Sequence, residues 1–314
     1  MGLPVFNGDR YLEEALADLV AQTHRDLDIV ISDNGSTDRT EEICRAWAER
    51  DERISYHRHA ENRGAAWNHN EVIRLSRGPY FRWYAYDDRL HPECIEACAG
   101  ALDDDPDLVL SWPWTSVIDG AGDPVGDYRV DLPWDARTPL TRLRSLLQPH
   151  EGESLLHMCY PVYGTMRLDT LRRTRLLGRN PGADGVLLVE LALAGPWGIV
   201  PRRLFTNRRH EQSSAMDKSA EQIAEWFDPT QVGAHPMTHV RLFGGYLGAV
   251  LRADLPLTTR LRGLAVVLGW ARRDDRLRIM TGEVRIRAQQ LRTRAGHPRT
   301  QARGDRQEEC AWTR

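Results

Sequence analysis

The first 113 residues alternate short apolar strand patterns with amphipathic helix patterns, and this alternation constrains the fold more than any other feature. In the helix pattern that begins at Asp9, apolar residues recur at i, i+3, i+4, i+7 and i+8 counted from Leu12. Strands that alternate with helices in this way pair in parallel, because each helix carries the chain back across the sheet. The sequence therefore predicts an α/β fold with a mainly parallel sheet and flanking helices.

The remaining residues change pattern twice. We expect residues 1–113 to form one half of an α/β domain, and residues 114–216 to form the other half. From Asp119 to about Gly152 the pattern weakens and Gly and Pro are frequent, which predicts a long connection or lid. Residues 217–292 show helical patterns and are predicted to be a C-terminal helical region. The tail, 293–314, has almost no apolar residues and is predicted to be disordered.

Composition excludes some functions and favours one compartment. The formal net charge is −3 and the pI is near 6.4, so no general basic field indicates a nucleic-acid partner. No signal peptide is predicted, because Met1–Pro4 leads directly into a turn. The cysteines are odd in number and scattered, which favours a reduced, cytoplasmic setting over a disulfide framework. They are Cys44, Cys94, Cys98, Cys159 and Cys310.

Four polar loops each follow a predicted strand and precede a helix. One such turn is weak evidence, since Gly, Asn and Asp occupy turns for backbone reasons. Four such loops at the same edge of the sheet predict a ligand site, because ligands of open parallel sheets bind beyond the carboxyl ends of the strands. Within them Phe6 can stack on a base, Asp33 can accept from a base N–H, and Arg63 can meet phosphate. The loops are Pro4–Gly8, Asp33–Asp38, Glu61–Gly64 and Asp87–Asp88.

The adjacent carboxylates Asp87 and Asp88 end the apolar aromatic run Pro79–Ala85. Burying two carboxylates is costly unless a positive group meets them, and a divalent cation carrying a phosphate would do so. Alternatively, the pair opens a turn before the helix at Pro92. The chain has neither a Gly-x-Gly-x-x-Gly nor a Walker-type Gly-Lys-Ser motif, which disfavours dinucleotide oxidoreductases and P-loop phosphotransferases. A nucleotide held by separated loops, with metal-bound phosphates, is the remaining prediction.

Residues 4 to about 113 resemble the nucleotide-sugar-binding half of the family 2, GT-A-fold glycosyltransferases. The resemblance implies an inverting enzyme that moves a sugar from a nucleotide-diphosphate-sugar, a UDP-sugar being favoured, to an unknown acceptor hydroxyl. The motifs that carry it are Pro4-Val5-Phe6-Asn7-Gly8 with Tyr11-Leu12, Ala21-Gln22-Thr23, Ile31-Ser32-Asp33-Asn34-Gly35-Ser36-Thr37-Asp38, Asn62-Arg63-Gly64 with Asn68, and Asp87-Asp88.

The same resemblance implies roles for individual residues. Asp33 would lie against the base, Asp87 near the ribose or the sugar, and Asp88 on Mg²⁺ or Mn²⁺ bridging the diphosphate. His210 would line the metal or the diphosphate, or else be a solvated loop histidine. The other residues expected to bind the nucleotide are Pro4, Phe6, Asn7, Asn34 and Arg63.

In the second half, Tyr163–Arg167 resembles the acceptor-side segment of the same family. The family places an acidic catalytic base at the start of a following helix, and Asp184 is the matching residue. Asp184 could instead serve only as a favourable charge at the helix N-terminus. Glu190, the second candidate base, lies within an apolar helix and is expected to form an internal ion pair.

Two departures from the family pattern leave alternatives open. Tyr86 stands where the family often carries a further acid, and the first strand lacks its usual opening residues before Met1. A non-catalytic nucleotide-binding relative that acts as a scaffold is therefore one alternative. A nucleotide-sugar-forming nucleotidyltransferase is another, although the Gly-rich loop with Arg and Lys that it would need is missing.

The C-terminal helices carry an apolar stripe beside arginines. This stripe either packs on its own domain or rests on an anionic membrane or a partner, so peripheral membrane contact is possible. Its residues are Leu261, Leu264, Val267 and Leu268, beside Arg260, Arg262, Arg272 and Arg273.

Overall fold

The computed structural model describes residues 1–129, 135–147, 160–211 and 219–295. Its first part is a parallel three-stranded sheet in the order β1–β2–β3, with one helix after each strand. The strands are β1 (Gly2–Val5), β2 (Ile29–Asp33) and β3 (Ile54–Arg58), and the helices are α1 (Asp9–Val20), α2 (Thr40–Arg50) and α3 (Ala65–Leu75). The predicted α/β fold is confirmed.

The aromatic run before the two carboxylates joins two sheets. Its first residues form β4 (Tyr80–Phe81), and the following residues extend alongside β1. The Gly2 N–H donates to the Arg82 carbonyl at 2.8 Å, and the Tyr84 N–H donates to the Gly2 carbonyl at 2.9 Å. Asp87 and Asp88 therefore follow a segment that lies beside β1, at the edge where β1 and β2 also end.

A second, six-stranded sheet has the order β4–β8–β6–β9–β5, with β7 paired to β6. Among its strand pairs in the described residues, β6 and β9 run parallel and the others are antiparallel. The sequence predicted a long connection from residue 119, whereas the turn of an antiparallel hairpin lies there, followed by β7. The strands are β5 (Arg89–Leu90), β6 (Leu110–Asp119), β7 (Pro124–Tyr128), β8 (Thr165–Arg167) and β9 (Trp197–Arg209).

Helices cover both sheets and form most of the C-terminal region, as the patterns predicted. Helix α9 packs against α7, α10 and α11, and α5 packs against α7 and α10. The tail is outside the described residues from residue 296 onward, and the division into two halves and a helical region stays a prediction. The helices are α4 (Cys94–Asp104), α5 (Pro139–Leu147), α6 (Leu168–Arg173), α7 (Ala183–Ala194), α8 (Ala220–Phe227), α9 (Thr238–Arg252), α10 (Leu257–Ala271) and α11 (Arg276–Ala295).

The core is large and rich in aromatic residues. Trp83, Trp112 and Trp197 are almost completely buried. Cys94 and Cys98 are also buried, as expected for core residues of α4. None of the helices in the described ranges is long and apolar enough to cross a membrane.

Candidate functional site

A cavity of about 590 Å³ opens beyond the ends of β1 and β2. Its lining combines residues of the first sheet, the carboxylate pair, the end of β9 and the N-terminus of α7. The structure thus brings together loops from both halves of the predicted domain. Six predicted site residues line this cavity: Pro4, Phe6, Asn34, Asp87, Asp88 and Asp184.

Asp88 is buried at the cavity wall, and only one of its two carboxylate oxygens is satisfied. Its Oδ1 accepts hydrogen bonds at 2.9 Å from Asn207 Nδ2 and from the Arg208 backbone N–H. Its Oδ2 is buried and has no hydrogen-bond partner among the described residues. Burial, and then the neighbouring charge of Asp87, hold the pKa of Asp88 well above its usual range. An unpartnered buried oxygen of this kind is costly without a cation.

Asp87 and His210 form a pair beside Asp88. The His210 Nε2 lies 2.8 Å from Asp87 Oδ2, and the ring is buried with its centroid 5.0 Å from that of Tyr11. His210 does not line the cavity. Because its ring is buried, His210 is not a solvated loop histidine. Its contact with the site runs through Asp87.

A divalent cation fits the chemistry of these oxygens. The described residues contain no group of three or more His, Cys, Asp and Glu side chains that could hold a metal by themselves. Asp88 does offer an unpartnered oxygen, and Mg²⁺ and Mn²⁺ prefer oxygen ligands. Mg²⁺ sites commonly use one or two carboxylates and take further oxygens from substrate phosphates. Asp88, with Asp87 beside it, is the pair of residues suited to such a site.

Asp33 and Asn7 lie in the loops behind the cavity lining. Asp33 Oδ1 accepts from the Ser36 N–H at 2.8 Å, and its Oδ2 accepts from the Tyr56 hydroxyl at 2.7 Å. Asn7 has a left-handed backbone with φ 51°, and its Oδ1 accepts from the Thr37 N–H at 2.9 Å. In this structure both side chains hold the loop after β2 in shape, and neither lines the cavity.

Asn34 faces the cavity, whereas Arg63 points elsewhere. Asn34 Nδ2 donates to Asn62 Oδ1 at 2.8 Å, and its own Oδ1 accepts from the Arg63 backbone N–H at 3.0 Å. The Arg63 guanidinium lies over the Trp67 ring, 4.0 Å from its centroid. The predicted phosphate contact of Arg63 would therefore require this side chain to move.

Tyr86 occupies the position where the family often carries an acid, and its ring lines the cavity. A Cβ at Gly8 would lie 2.8 Å from the Tyr86 ring and 2.7 Å from a Val5 methyl group. The glycine at position 8 thus makes room for the aromatic ring. Tyr86 leaves the site with one carboxylate fewer than the family pattern.

Asp184 lies in the first turn of α7 and lines the cavity. Its Oδ1 accepts from the Gly185 N–H at 2.9 Å. Glu190, the other candidate base, forms an ion pair with Arg252 and accepts from the Arg175 N–H at 2.8 Å, as expected for an internal ion pair. Of these two acids, Asp184 is the one at the cavity.

One wall of the cavity comes from the C-terminal region and was not predicted from the sequence. Helix α8 lies against the loop before α3, and the Phe227 carbonyl would be 2.5 Å from a Cβ at Gly64. The sequence signal that could have indicated this wall is the aromatic pair Trp226-Phe227 at the end of the amphipathic helix α8. The missed lining residues include Ile223, Glu225, Trp226 and Phe227 from α8, and Tyr160, Asn207 and Arg209.

Gly64→Ala should loosen this wall. Gly64 has φ +90°, and its added methyl group would collide with the Phe227 carbonyl. We expect a loss of about 1–3 kcal/mol in the free energy of unfolding, measured by urea titration. Gly100→Ala is the control, because nothing lies within 4 Å of its added Cβ in the middle of α4. It should stabilise by about 0.5–1 kcal/mol, and equal effects of the two changes would contradict the packing argument.

Curated relatives match about a third of the chain. An uncharacterized glycosyltransferase of Rickettsia typhi is 33% identical over 110 residues, covering 34% of this chain and 33% of that protein. The glycosyltransferase GlyG of Streptococcus pneumoniae serotype 4 is 33% identical over 110 residues, covering 34% of this chain and 36% of that protein. The match thus spans about a third of the length of these relatives.

Solved structures match most of the chain at low identity and confirm the GT-A-like fold. S. aureus TarS in complex with UDP-GlcNAc aligns with a TM-score of 0.61 and 14% identity, over 86% of this chain and 71% of that chain. The mannosyltransferase PcManGT from Pyrobaculum calidifontis, in complex with GDP-Man and Mn²⁺, aligns with a TM-score of 0.51 and 16% identity, over 94% of this chain and 78% of that chain.

The comparison with family models agrees with the motifs and with the fold. The model described as "Glycosyl transferase family 2" matches residues 2–172, which is more than half of the chain. This range contains the loops after β1, β2 and β3 and the carboxylate pair. The chain belongs to glycosyl transferase family 2.

Proposed function

We propose that this protein transfers a sugar from a nucleotide-diphosphate-sugar to an acceptor hydroxyl with inversion, assisted by a divalent cation. The observation that carries the proposal is Asp88 Oδ2, which has no hydrogen-bond partner in the described part of the chain and lies at the wall of a cavity that Asp184 also lines. Family membership and the complexes of TarS with UDP-GlcNAc and of PcManGT with GDP-Man support a nucleotide-sugar donor.

The donor would lie along the first-sheet side of the cavity. Phe6 is partly exposed there and can stack on a base, while Pro4 and Asn34 line the same wall. Asp87 would bind the ribose or the sugar, and Asp88 would hold Mg²⁺ or Mn²⁺ at the diphosphate. The cation, when bound, would neutralise negative charge on the leaving diphosphate. UDP is the favoured nucleotide because TarS, which aligns with a higher TM-score than PcManGT, was solved in complex with UDP-GlcNAc.

The acceptor would enter beside α7. Asp184 would accept the proton of the attacking hydroxyl, and a direct attack on the anomeric carbon inverts its configuration. Trp226, 38% exposed at the cavity wall, offers an aromatic surface for an acceptor. The carboxylate also lies in the first turn of α7, where the N-terminal amides favour negative charge.

The two alternatives predict different chemistry. A nucleotidyltransferase would release pyrophosphate from a nucleoside triphosphate, and a scaffold would bind nucleotide without turnover. Membership of the glycosyl transferase family disfavours the first. The cytoplasmic location and the identities of the donor sugar and acceptor stay predictions.

A panel of ligands tests the donor site. We expect one class among UDP-, GDP- and dTDP-sugars to raise the melting temperature by several degrees, and only with Mn²⁺ or Mg²⁺, because a ligand that binds the folded state alone stabilises it. The panel is read by thermal shift, with each nucleotide-sugar tested with and without metal. No shift with any donor would count against the proposal, and a shift unchanged by EDTA would remove the metal from it.

A further inference from the structure

We propose that helix α10 and the end of α5 form a docking surface for an anionic lipid bilayer, separate from the donor cavity. We call this surface the basic apolar face. It combines exposed leucines with arginines that have no acidic partner among the described residues. It is defined by Leu257, Leu261, Leu268, Arg144, Arg262 and Arg273.

The leucines of the basic apolar face are unusually exposed for their size. Leu257, Leu261 and Leu268 are 64%, 57% and 42% exposed. They share one stripe of α10, at i, i+4 and i+11, while Val267 and Trp270 are buried on the opposite side. The apolar stripe predicted from the sequence is therefore divided, with one part in the core and the other in solvent.

Arg262 lies roughly 120° around α10 from this leucine stripe, on a neighbouring solvent-exposed part of the helix, and Arg273 follows the end of the helix. Arg144, Arg262 and Arg273 border a surface cavity of about 290 Å³, whose other lining residues are apolar or small, including Leu147 and Val266. Across the described part of the chain, these three guanidinium groups have no ion pair and no side-chain hydrogen bond. A cationic rim over an apolar floor suits a lipid phosphate together with its glycerol and upper acyl chain.

The charge of the surrounding region extends this match. Residues 257–295 contain ten arginines and three acidic residues, although the whole chain has a net charge of −3. Two of those acids are already engaged, since Glu283 accepts from the His239 and Val240 N–H groups and Asp274 pairs with Arg276. The arginines of this region therefore outnumber its acids, which favours an anionic surface.

Other occupants fit less well. The tail, 296–314, carries four arginines and three acidic residues, so it offers no surplus of negative charge to this face. A second copy would set like-charged arginines opposite each other. The phosphates of a nucleic acid would pair with the arginines, but they offer no apolar surface to cover the exposed leucines. A bilayer with anionic headgroups can pair with the arginines and also bury the leucines.

Vesicle flotation with the full chain tests the proposal. We expect binding to phosphatidylcholine vesicles with 30 mol% phosphatidylglycerol, weakening as salt rises, and little binding to pure phosphatidylcholine. In R262Q/R273Q the affinity should fall about thirtyfold, since an arginine near an anionic surface contributes about 1 kcal/mol. L261N/L268N should also lose binding, and both variants should melt close to the wild type because none of the four side chains is buried in the core.

A control variant distinguishes the effect of losing this face from the effect of losing any two positive charges. R50Q/R77Q removes two exposed arginines elsewhere and should bind vesicles as the wild type does. Equal weakening in R50Q/R77Q, or no vesicle binding by the wild type, would overturn the proposal. So would tighter binding to a duplex RNA probe than to vesicles. A dimer in light scattering that L261N/L268N dissociates, without vesicle binding, would assign the face to a second copy instead.

Discussion

Asp88→Asn should abolish the metal-dependent thermal shift by the donor and lower turnover about a thousandfold. The substitution removes the carboxylate charge from a buried side chain whose Oδ2 has no hydrogen-bond partner among the described residues, and a neutral amide is a poor ligand for Mg²⁺ or Mn²⁺. The asparagine oxygen can still accept from Asn207 Nδ2 and the Arg208 N–H, so the fold should persist. Because a buried charge is removed, the unfolding free energy without metal should stay equal or rise.

Asp127→Asn is the control for this prediction. It makes the same chemical change at an exposed carboxylate that pairs with Arg203, away from the cavity. Its donor shift and turnover should match those of the wild type, and both variants should be followed by thermal shift and by nucleotide release. A metal-dependent shift of normal size in Asp88→Asn would refute the assignment of Asp88 to the cation.

Asp184→Asn should lower kcat by about a hundred- to ten-thousandfold and leave donor binding unchanged. The expected range is that of a lost general base, since asparagine cannot accept the acceptor's proton. Its side-chain oxygen can still accept from the Gly185 N–H, so the start of α7 should keep its shape. Losing the carboxylate at the helix N-terminus should cost only about 0.3–1 kcal/mol of stability.

Asp169→Asn distinguishes catalysis from helix stabilisation. Asp169 lies in the first turn of α6, so its loss has the same effect on a helix N-terminus, but it does not line the cavity. Its kcat should not change. If both variants lose activity equally, or if Asp184→Asn loses the donor shift, Asp184 acts on stability or on donor binding and not as the base.

Local patterns were sufficient for the architecture of the first half. The loops after β1, β2 and β3 could be placed at one edge because strand and helix periods differ and parallel strands end together. The same reasoning placed Asp87 and Asp88 beside them. The hairpin of β6 and β7 was missed, because its turn Asp119–Gly122 and its exposed second strand read as a Gly-rich connection.

The missed parts of the site depend on distant residues. No local signal shows that Tyr56 donates to Asp33, or that Arg63 lies on Trp67. Likewise α8 reaches the cavity only because Gly64 lets the Phe227 carbonyl approach, a contact across more than 160 residues. Such contacts are determined by how the elements pack against each other. They produce no periodic pattern in a single sequence.

Metal-dependent hydrolysis of nucleotide-sugars is the most direct test of the central claim, that Asp88 and Asp184 serve one glycosyl-transfer site. Water can replace the unknown acceptor, so release of nucleoside diphosphate can be measured across UDP-, GDP- and dTDP-sugars. We predict release with one donor class in Mn²⁺, lost in EDTA and in Asp88→Asn and strongly reduced in Asp184→Asn. Binding of a donor without release of diphosphate from any of them would contradict the claim and favour the non-catalytic alternative.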